Sequence, residues 1–214
     1  MEKLDEIAER IRTAFDAQTE TRDRALARSR TLTRHCSQAI RAIHREDREL
    51  ARQELAAARQ IVSLTNQELS DYPDLYYAGY TQDACKEYAE AAVVVALLTG
   101  QPLPEPEELG VEYNTYLRGL AEACGELRRR CLDILRDGYS EDAELLLEYM
   151  DDIYAVLVTM DYPDAITSGL RRLTDIARSI NERTRGDLTL NQRQAHLEQS
   201  LRQLEARLDQ ENAA

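Results

Sequence analysis

Two pairs of glutamates are spaced so that each pair shares one face of a helix. Glu87 and Glu90 are three residues apart, and Glu122 and Glu126 are four apart. Four carboxylates that converge from two helices repel one another unless protons or a cation compensate their charge. Oxygen ligands favour Mg²⁺, Mn²⁺ or Ca²⁺ over zinc or copper. The spacing therefore suggests a divalent-metal site, although paired glutamates on a solvated face are common in a chain with 31% charged residues.

The helix that carries the first pair changes character just after it. Residues 91–98 are apolar on every side, which is typical of a buried helix. Glu87 and Glu90 are therefore expected at the margin of a core. Glu122 and Glu126, in contrast, lie opposite the apolar face of their own helix, as on an ordinary solvated surface.

Two glycines interrupt the second acidic helix. Gly119 and Gly125 lie in its interior, where each costs about 1 kcal/mol of helix stability relative to alanine. We expect another backbone or a ligand to approach the helix closely at these positions.

Composition places the chain among all-α proteins. Its 214 residues contain only 8 glycines and 5 prolines, and no sustained alternation typical of strands is present. No apolar run is long enough to cross a membrane and the N-terminus is charged, so we expect a cytoplasmic protein without a signal peptide. The 4 cysteines form no C-x-x-C motif and are predicted to be small core residues, which argues against a zinc site.

Basic residues are concentrated in one segment of an acidic chain. The net charge is −13, yet residues 22–59 hold ten arginines and five acidic residues. Four of these arginines lie on one side of a helix predicted over 21–45: Arg30, Arg34, Arg41 and Arg45. We interpret them as phosphate ligands, with a solvated face as the alternative. The acid-rich, lysine-poor composition suggests a host with a salty cytoplasm.

Helix boundaries can be predicted at several points. Residues 1–20 are expected to form a short amphipathic opening segment ahead of the helix over 21–45. Asp47 is expected to cap a new helix after residue 45, and Ser140 is expected to cap the helix that starts at residue 141. The tetrapeptide Asp-Tyr-Pro-Asp at 71–74 and 161–164 is expected to open a helix in each copy. A helix over 163–185 is predicted to end near Gly186. The sequence thus divides into a domain of residues 1–186 and a helical tail of residues 187–214. Leucines in the tail approach a heptad pattern suited to a coiled coil or to docking on a neighbour: Leu190, Leu197, Leu201, Leu204 and Leu208.

Two segments resemble the TRAX (translin-associated factor X) branch of the translin family. Residues 116–129 read YLRGLAEACGELRR and resemble that branch's Y-L-x-G-x-A-D-x-x-G-E-L-x-R. Residues 87–91 read EYAEA and resemble its E-Y-I-E-A. One departure is visible, since the aspartate of the family pattern is Glu122 here.

The resemblance implies a roughly seven-helix translin-like bundle and a metal-dependent endoribonuclease that cleaves single-stranded RNA. In this interpretation Glu87, Glu90, Glu122 and Glu126 are catalytic and hold Mg²⁺ or Mn²⁺. It also implies a hollow homo-octamer that binds single-stranded RNA or DNA. No membrane partner is expected. The first alternative is an oligomer that binds single-stranded nucleic acid without cleaving it. The second is a di-iron carboxylate protein, disfavoured because no histidine follows any of the four acids by three residues.

Overall fold

The computed structural model describes residues 1–212, with side chains to residue 210, and every regular element in that range is helical. The all-α prediction is confirmed. The described helices are α1 (Glu2–His44), α2 (Arg48–Glu68), α3 (Pro73–Tyr76), α4 (Gly79–Thr99), α5 (Pro106–Leu109), α6 (Tyr113–Leu135), α7 (Glu141–Leu157), α8 (Asp164–Thr167) and α9 (Leu170–Asn212). Six of these helices are long, while α3, α5 and α8 are single turns. None of the described helices has the length and apolarity that a membrane span requires.

The chain forms two compact units, one ending at Leu120 and the other starting at Ala121, so that α6 runs through the boundary. Each unit contains a single-turn helix that starts within the Asp-Tyr-Pro-Asp tetrapeptide and precedes a long helix: α3 before α4 in the first unit, and α8 before α9 in the second. Both copies of the tetrapeptide open a helix, as predicted.

The first junction follows local rules. Glu46 adopts a left-handed conformation (φ 63°), and the side chain of Asp47 accepts a hydrogen bond from the Leu50 N–H at 3.0 Å. This confirms Asp47 as the cap of α2. Upstream, α1 is one continuous helix, and the prediction of a separate opening segment over 1–20 is wrong. No glycine or proline occurs before residue 48, so nothing in that stretch interrupts the helix.

The core of the first unit lies where α1 packs against α2 and α4. It is built mainly from small and medium side chains, among them Leu32, Cys36, Val62 and Ala89, with the larger Tyr88 also buried. Alanines at the contacts let the helix axes come close together. A second cluster of Ala25, Leu69 and Leu75 packs against Tyr76 and Tyr80, two partly buried side chains at the edge of the core.

All four cysteines are buried free thiols, as predicted. Burial raises the pKa of Cys85 and Cys124 to about 12 and that of Cys131 to about 11. The pKa of Cys36 is raised as well, first by burial and then by the charges of Glu87 and other neighbours.

We expect these thiols to resist alkylation in the native protein at pH 8 and all four to react in denaturant. Because their folded-state pKa values are raised, their contribution to stability is complete below about pH 8.5 and is lost as pH rises towards 11–12. Mass spectrometry after iodoacetamide treatment tests the first expectation, and urea midpoints at pH 7 and pH 10.5 test the second. Rapid native alkylation, or equal midpoints, would contradict this description of the core.

In the second unit, α7 and α9 pack together. Ser140 caps α7 by accepting a hydrogen bond from the Asp142 N–H at 3.2 Å, as predicted. The amide of Asn181 donates to the Met150 carbonyl at 2.7 Å and ties α9 to α7. The predicted helix end at Gly186 is wrong, since α9 continues to Asn212. Gly186 keeps a negative φ, and one interior glycine costs a long helix only about 1 kcal/mol. Residues 213 and 214 of the predicted tail lie outside the described residues.

Candidate metal centre

α4 carries two carboxylates into poorly solvated positions. Glu90 is 9% exposed, and the Glu87 side chain is 32% exposed. In the turn that follows, the side chains of Ala91, Val93 and Val94 are buried. The predicted position at the core margin is confirmed, and the negative charge of the pair contributes to the raised pKa of the Cys36 thiol on α1.

α6 approaches α4 closely at Gly119. A Cβ added to this glycine would lie 2.8 Å from the Lys86 carbonyl oxygen, 2.9 Å from the Ala89 Cβ and 2.9 Å from the Glu90 nitrogen. Only a residue without a side chain fits there, so the predicted close approach is confirmed at this position. At Gly125 no atom of a neighbouring described element lies within 4 Å of an added Cβ, so no described backbone approaches there, and the approach of a ligand stays a prediction.

The close contact brings three glutamates together. α6 is continuous, so Glu122 lies one turn beyond Gly119. Carboxylate oxygens of Glu87, Glu90 and Glu122 lie within 4.8 Å of one another. Glu122 is half-buried, although the helical pattern placed it on a solvated face. A helical wheel records only the core side of its own helix and not the surface that a neighbouring helix covers.

Glu126, the fourth predicted acid, lies one turn further along α6 and is not part of this group of three. Its side chain is 26% exposed and pairs with Arg129 at 3.5 Å. Its proposed role therefore stays a prediction.

Two basic side chains that pair with acidic residues of α4 were not predicted. The ammonium group of Lys86 lies 3.2 Å from a Glu87 oxygen, and its side chain is only 11% exposed. Arg118, one residue before Gly119, donates to Asp83 at 2.7 Å. A signal for Lys86 was available, because the chain contains only two lysines and one of them is adjacent to Glu87.

The donor set suits a small hard cation. Three carboxylates supply only oxygen ligands and three negative charges, of which Lys86 offsets a part. Such a set favours Mg²⁺, Mn²⁺ or Ca²⁺ over zinc or copper. The residues that would hold the ion are Glu87, Glu90 and Glu122.

The arginine stripe (Arg30, Arg34, Arg41 and Arg45) lies on the surface of α1 and at its C-terminal end. All four side chains are exposed, and none forms an ion pair with a described residue. Arg24 and Arg28 on the same helix differ, because both pair with Glu68 of α2 and serve the packing of the two helices. The positive charge of the stripe is therefore not neutralised by ion pairs with described residues of the first unit.

Comparisons with known proteins find one relative similar in sequence and several solved structures similar in fold. The chain is 30% identical over 192 residues to the uncharacterized protein MJ0175 of Methanocaldococcus jannaschii, covering 89% of this chain and 85% of that protein. A structure of AfC3PO in complex with duplex RNA superposes with a TM-score of 0.80 at 32% identity, covering 86% of this chain and 95% of the other. The chain belongs to the C3PO and translin family.

Two further C3PO structures agree. The crystal structure of AfC3PO alone gives a TM-score of 0.79 at 31% identity, covering 86% of this chain and 96% of that one. The crystal structure of apo-NeC3PO gives 0.78 with the same coverage, but at 22% identity it supports the fold alone. No family model matches the sequence. The translin-like fold predicted from the two acidic segments is confirmed.

Proposed function

We propose that this translin-family chain is a divalent-metal-dependent endoribonuclease that cleaves single-stranded RNA and works within a homo-oligomer. The observation that carries the proposal is the group of three carboxylates, Glu87, Glu90 and Glu122, within 4.8 Å of one another. They occupy the positions at which the sequence resembles the acidic set of the TRAX branch. The complex of AfC3PO with duplex RNA supports RNA as the class of ligand.

The chain's own residues supply binding and orientation. When bound by the three carboxylates, Mg²⁺ or Mn²⁺ would lower the pKa of a coordinated water and offset charge on the phosphate in the transition state. Lys86 holds the Glu87 carboxylate and limits repulsion among the acids. Burial of Glu90 restricts its rotamers and keeps its oxygens in place. A carboxylate oxygen of Glu126 is proposed to accept a proton through water.

RNA cleavage with and without Mn²⁺ tests the proposal. A 5′-labelled single-stranded RNA should be cut internally in Mn²⁺ and stay intact with a chelator, and its perfect duplex should be cut more slowly. Light scattering should give a mass several times the 24.5 kDa of one chain, and a homo-octamer is the expected state. Absence of cleavage in both Mg²⁺ and Mn²⁺ would refute the enzyme assignment.

The second candidate is an oligomer that binds single-stranded nucleic acid without cleaving it. Lys86 favours it, because an ammonium group 3.2 Å from Glu87 stabilises the acidic group in the absence of a metal. In that case divalent ions would leave both RNA integrity and the melting temperature unchanged. The TRAX-like branch, the cytoplasmic location and the salt-adapted host stay predictions.

The arginine stripe is expected to contact the RNA backbone. Reversing three charges in R30E/R34E/R41E should abolish oligonucleotide binding in fluorescence anisotropy, because each arginine contributes phosphate contacts and counterion release. Helicity should not change, since all three side chains are exposed. The variant R10E/R12E/R22E is the matched control, with the same charge change on the same helix. Equal loss of binding in both variants would indicate a general charge effect instead of a defined surface.

A further inference from the structure

The last part of α9 presents leucines that no described residue covers. Leu188 is 2% exposed, and Asn191 still donates to the Leu135 carbonyl at 3.3 Å, so the helix is anchored to its unit up to that point. From residue 196 to residue 210 every side chain is exposed. The uncovered leucines are Leu190 (67% exposed), Leu197 (60%), Leu201 (50%), Leu204 (53%) and Leu208 (49%).

These leucines follow an unbroken heptad. Leu190, Leu197 and Leu204 occupy d positions, while Gln194, Leu201 and Leu208 occupy a positions. The segment from 190 to 210 spans three heptads, or roughly 30 Å of helix at 1.5 Å per residue. A single polar residue at one a position is the arrangement that fixes register in two-stranded coiled coils.

We propose that this segment forms a parallel, in-register two-stranded coiled coil with the same segment of a second copy of the chain. The flanking charges identify both the partner and the direction. In a parallel pair each g residue faces the e residue of the next heptad on the partner helix. Arg193 is at g and Glu198 is at e, so a parallel pair brings them together twice. Ser200 at g likewise faces Glu205 at e.

Antiparallel pairing is disfavoured in both registers that match the leucines. If Leu201 faces Leu204 of the partner subunit, Glu198 of one helix faces Glu205 of the other, twice. If Leu201 instead faces Leu197 of the partner subunit, Arg193 faces Arg207 twice and Glu198 faces its own copy. Like charges at these flanking positions act against a pairing, so the sequence selects the parallel orientation.

Directed disulfide formation in the full-length chain tests the geometry. In a parallel in-register pair Gln194 faces its own copy across the a layer, so Q194C should form an interchain disulfide in oxidised glutathione. The matched control is R202C, which lies at a b position on the outer side. Proximity gives an effective concentration far above micromolar bulk, so Q194C should crosslink at least about tenfold faster than R202C. The wild type is the blank, because its four cysteines are buried.

A charge exchange in the Q194C background tests the orientation. R193E and E198R should each slow crosslinking several-fold, because each creates a like-charge pair, and the double change R193E/E198R should restore the rate. Equal rates for Q194C and R202C, or no disulfide in either, would overturn the coiled coil. Crosslinking rates of the two single charge variants, R193E and E198R, that equal the rate of Q194C alone would overturn the parallel register. The readout is independent of RNA cleavage, so this inference and the proposed function can fail separately.

Discussion

Replacing Glu90 by glutamine should remove RNA cleavage while leaving the metal-free protein at least as stable as the wild type. Glu90 is the most buried member of the acidic group, and glutamine keeps its volume but not its charge. Activity should fall by at least about a hundredfold, because the transition-state stabilisation that depends on this ligand is worth several kcal/mol. Stability should stay level or rise, because one of three converging like charges is gone.

Measurements of RNA cleavage and of metal-free stability also distinguish the roles of the four glutamates. Glu87→Gln and Glu122→Gln should behave as Glu90→Gln does, since their oxygens lie within the same 4.8 Å group. Glu126→Gln tests the fourth predicted acid. If Glu126 only pairs with Arg129 on a partly exposed surface, the change should cost no more than about 0.5 kcal/mol and leave cleavage intact. Loss of cleavage without a loss of stability would support its proposed role.

Melting temperatures with and without Mn²⁺ complete the experiment. The wild type should be stabilised by the ion, and the variants of the acidic group should not respond, because an ion that binds only the folded state raises its stability by mass action. Glu148→Gln on the exposed surface of α7 is the matched control and should keep the wild-type response. A wild type that cleaves RNA, together with three acidic-group variants that cleave it equally well, would end the metal-site interpretation.

Local signals predicted the helix caps but not the helix lengths. The caps at Asp47 and Ser140 depend on one side chain and the backbone next to it, so the sequence contains all the information required. The lengths of α1 and α9 depend instead on the absence of a residue that breaks the helix. The expected boundary near residue 20 and the single glycine at 186 do not end a helix whose neighbouring turns are intact.

The acidic site was predictable in its residues and not in its geometry. Spacing placed Glu87 with Glu90, and the family resemblance added Glu122 and Glu126. The contact between α4 and α6 that joins the first three is tertiary, and the only local sign of it was a costly glycine inside α6. The pattern could not show which of two glycines marked the contact, because both cost the isolated helix the same. The two positions differ only in the fold, where the backbone of α4 lies against Gly119.

The strongest test of that contact is Gly119→Ala beside Gly125→Ala. Both changes add one methyl group to the interior of the same helix, and both improve its intrinsic stability by about 1 kcal/mol. At Gly119 the methyl carbon would lie 2.8 Å from the Lys86 carbonyl oxygen and 2.9 Å from the Glu90 nitrogen. These are backbone atoms of a buried helix and cannot turn aside, so α4 and α6 must separate. Overpacking of this kind costs about 1–3 kcal/mol.

We therefore expect Gly119→Ala to lower the free energy of unfolding and Gly125→Ala to leave it unchanged or raise it by up to about 1 kcal/mol. Urea unfolding followed by circular dichroism measures both changes. Gly119→Ala should also lose RNA cleavage, because a displacement of about 1 Å between α4 and α6 moves Glu122 away from Glu90, and misplacement of that size costs about a hundredfold in rate. Gly125→Ala has no described neighbour to displace and should keep full activity. If the two variants prove equally stable and equally active, the close packing of α4 on α6 does not position the carboxylates.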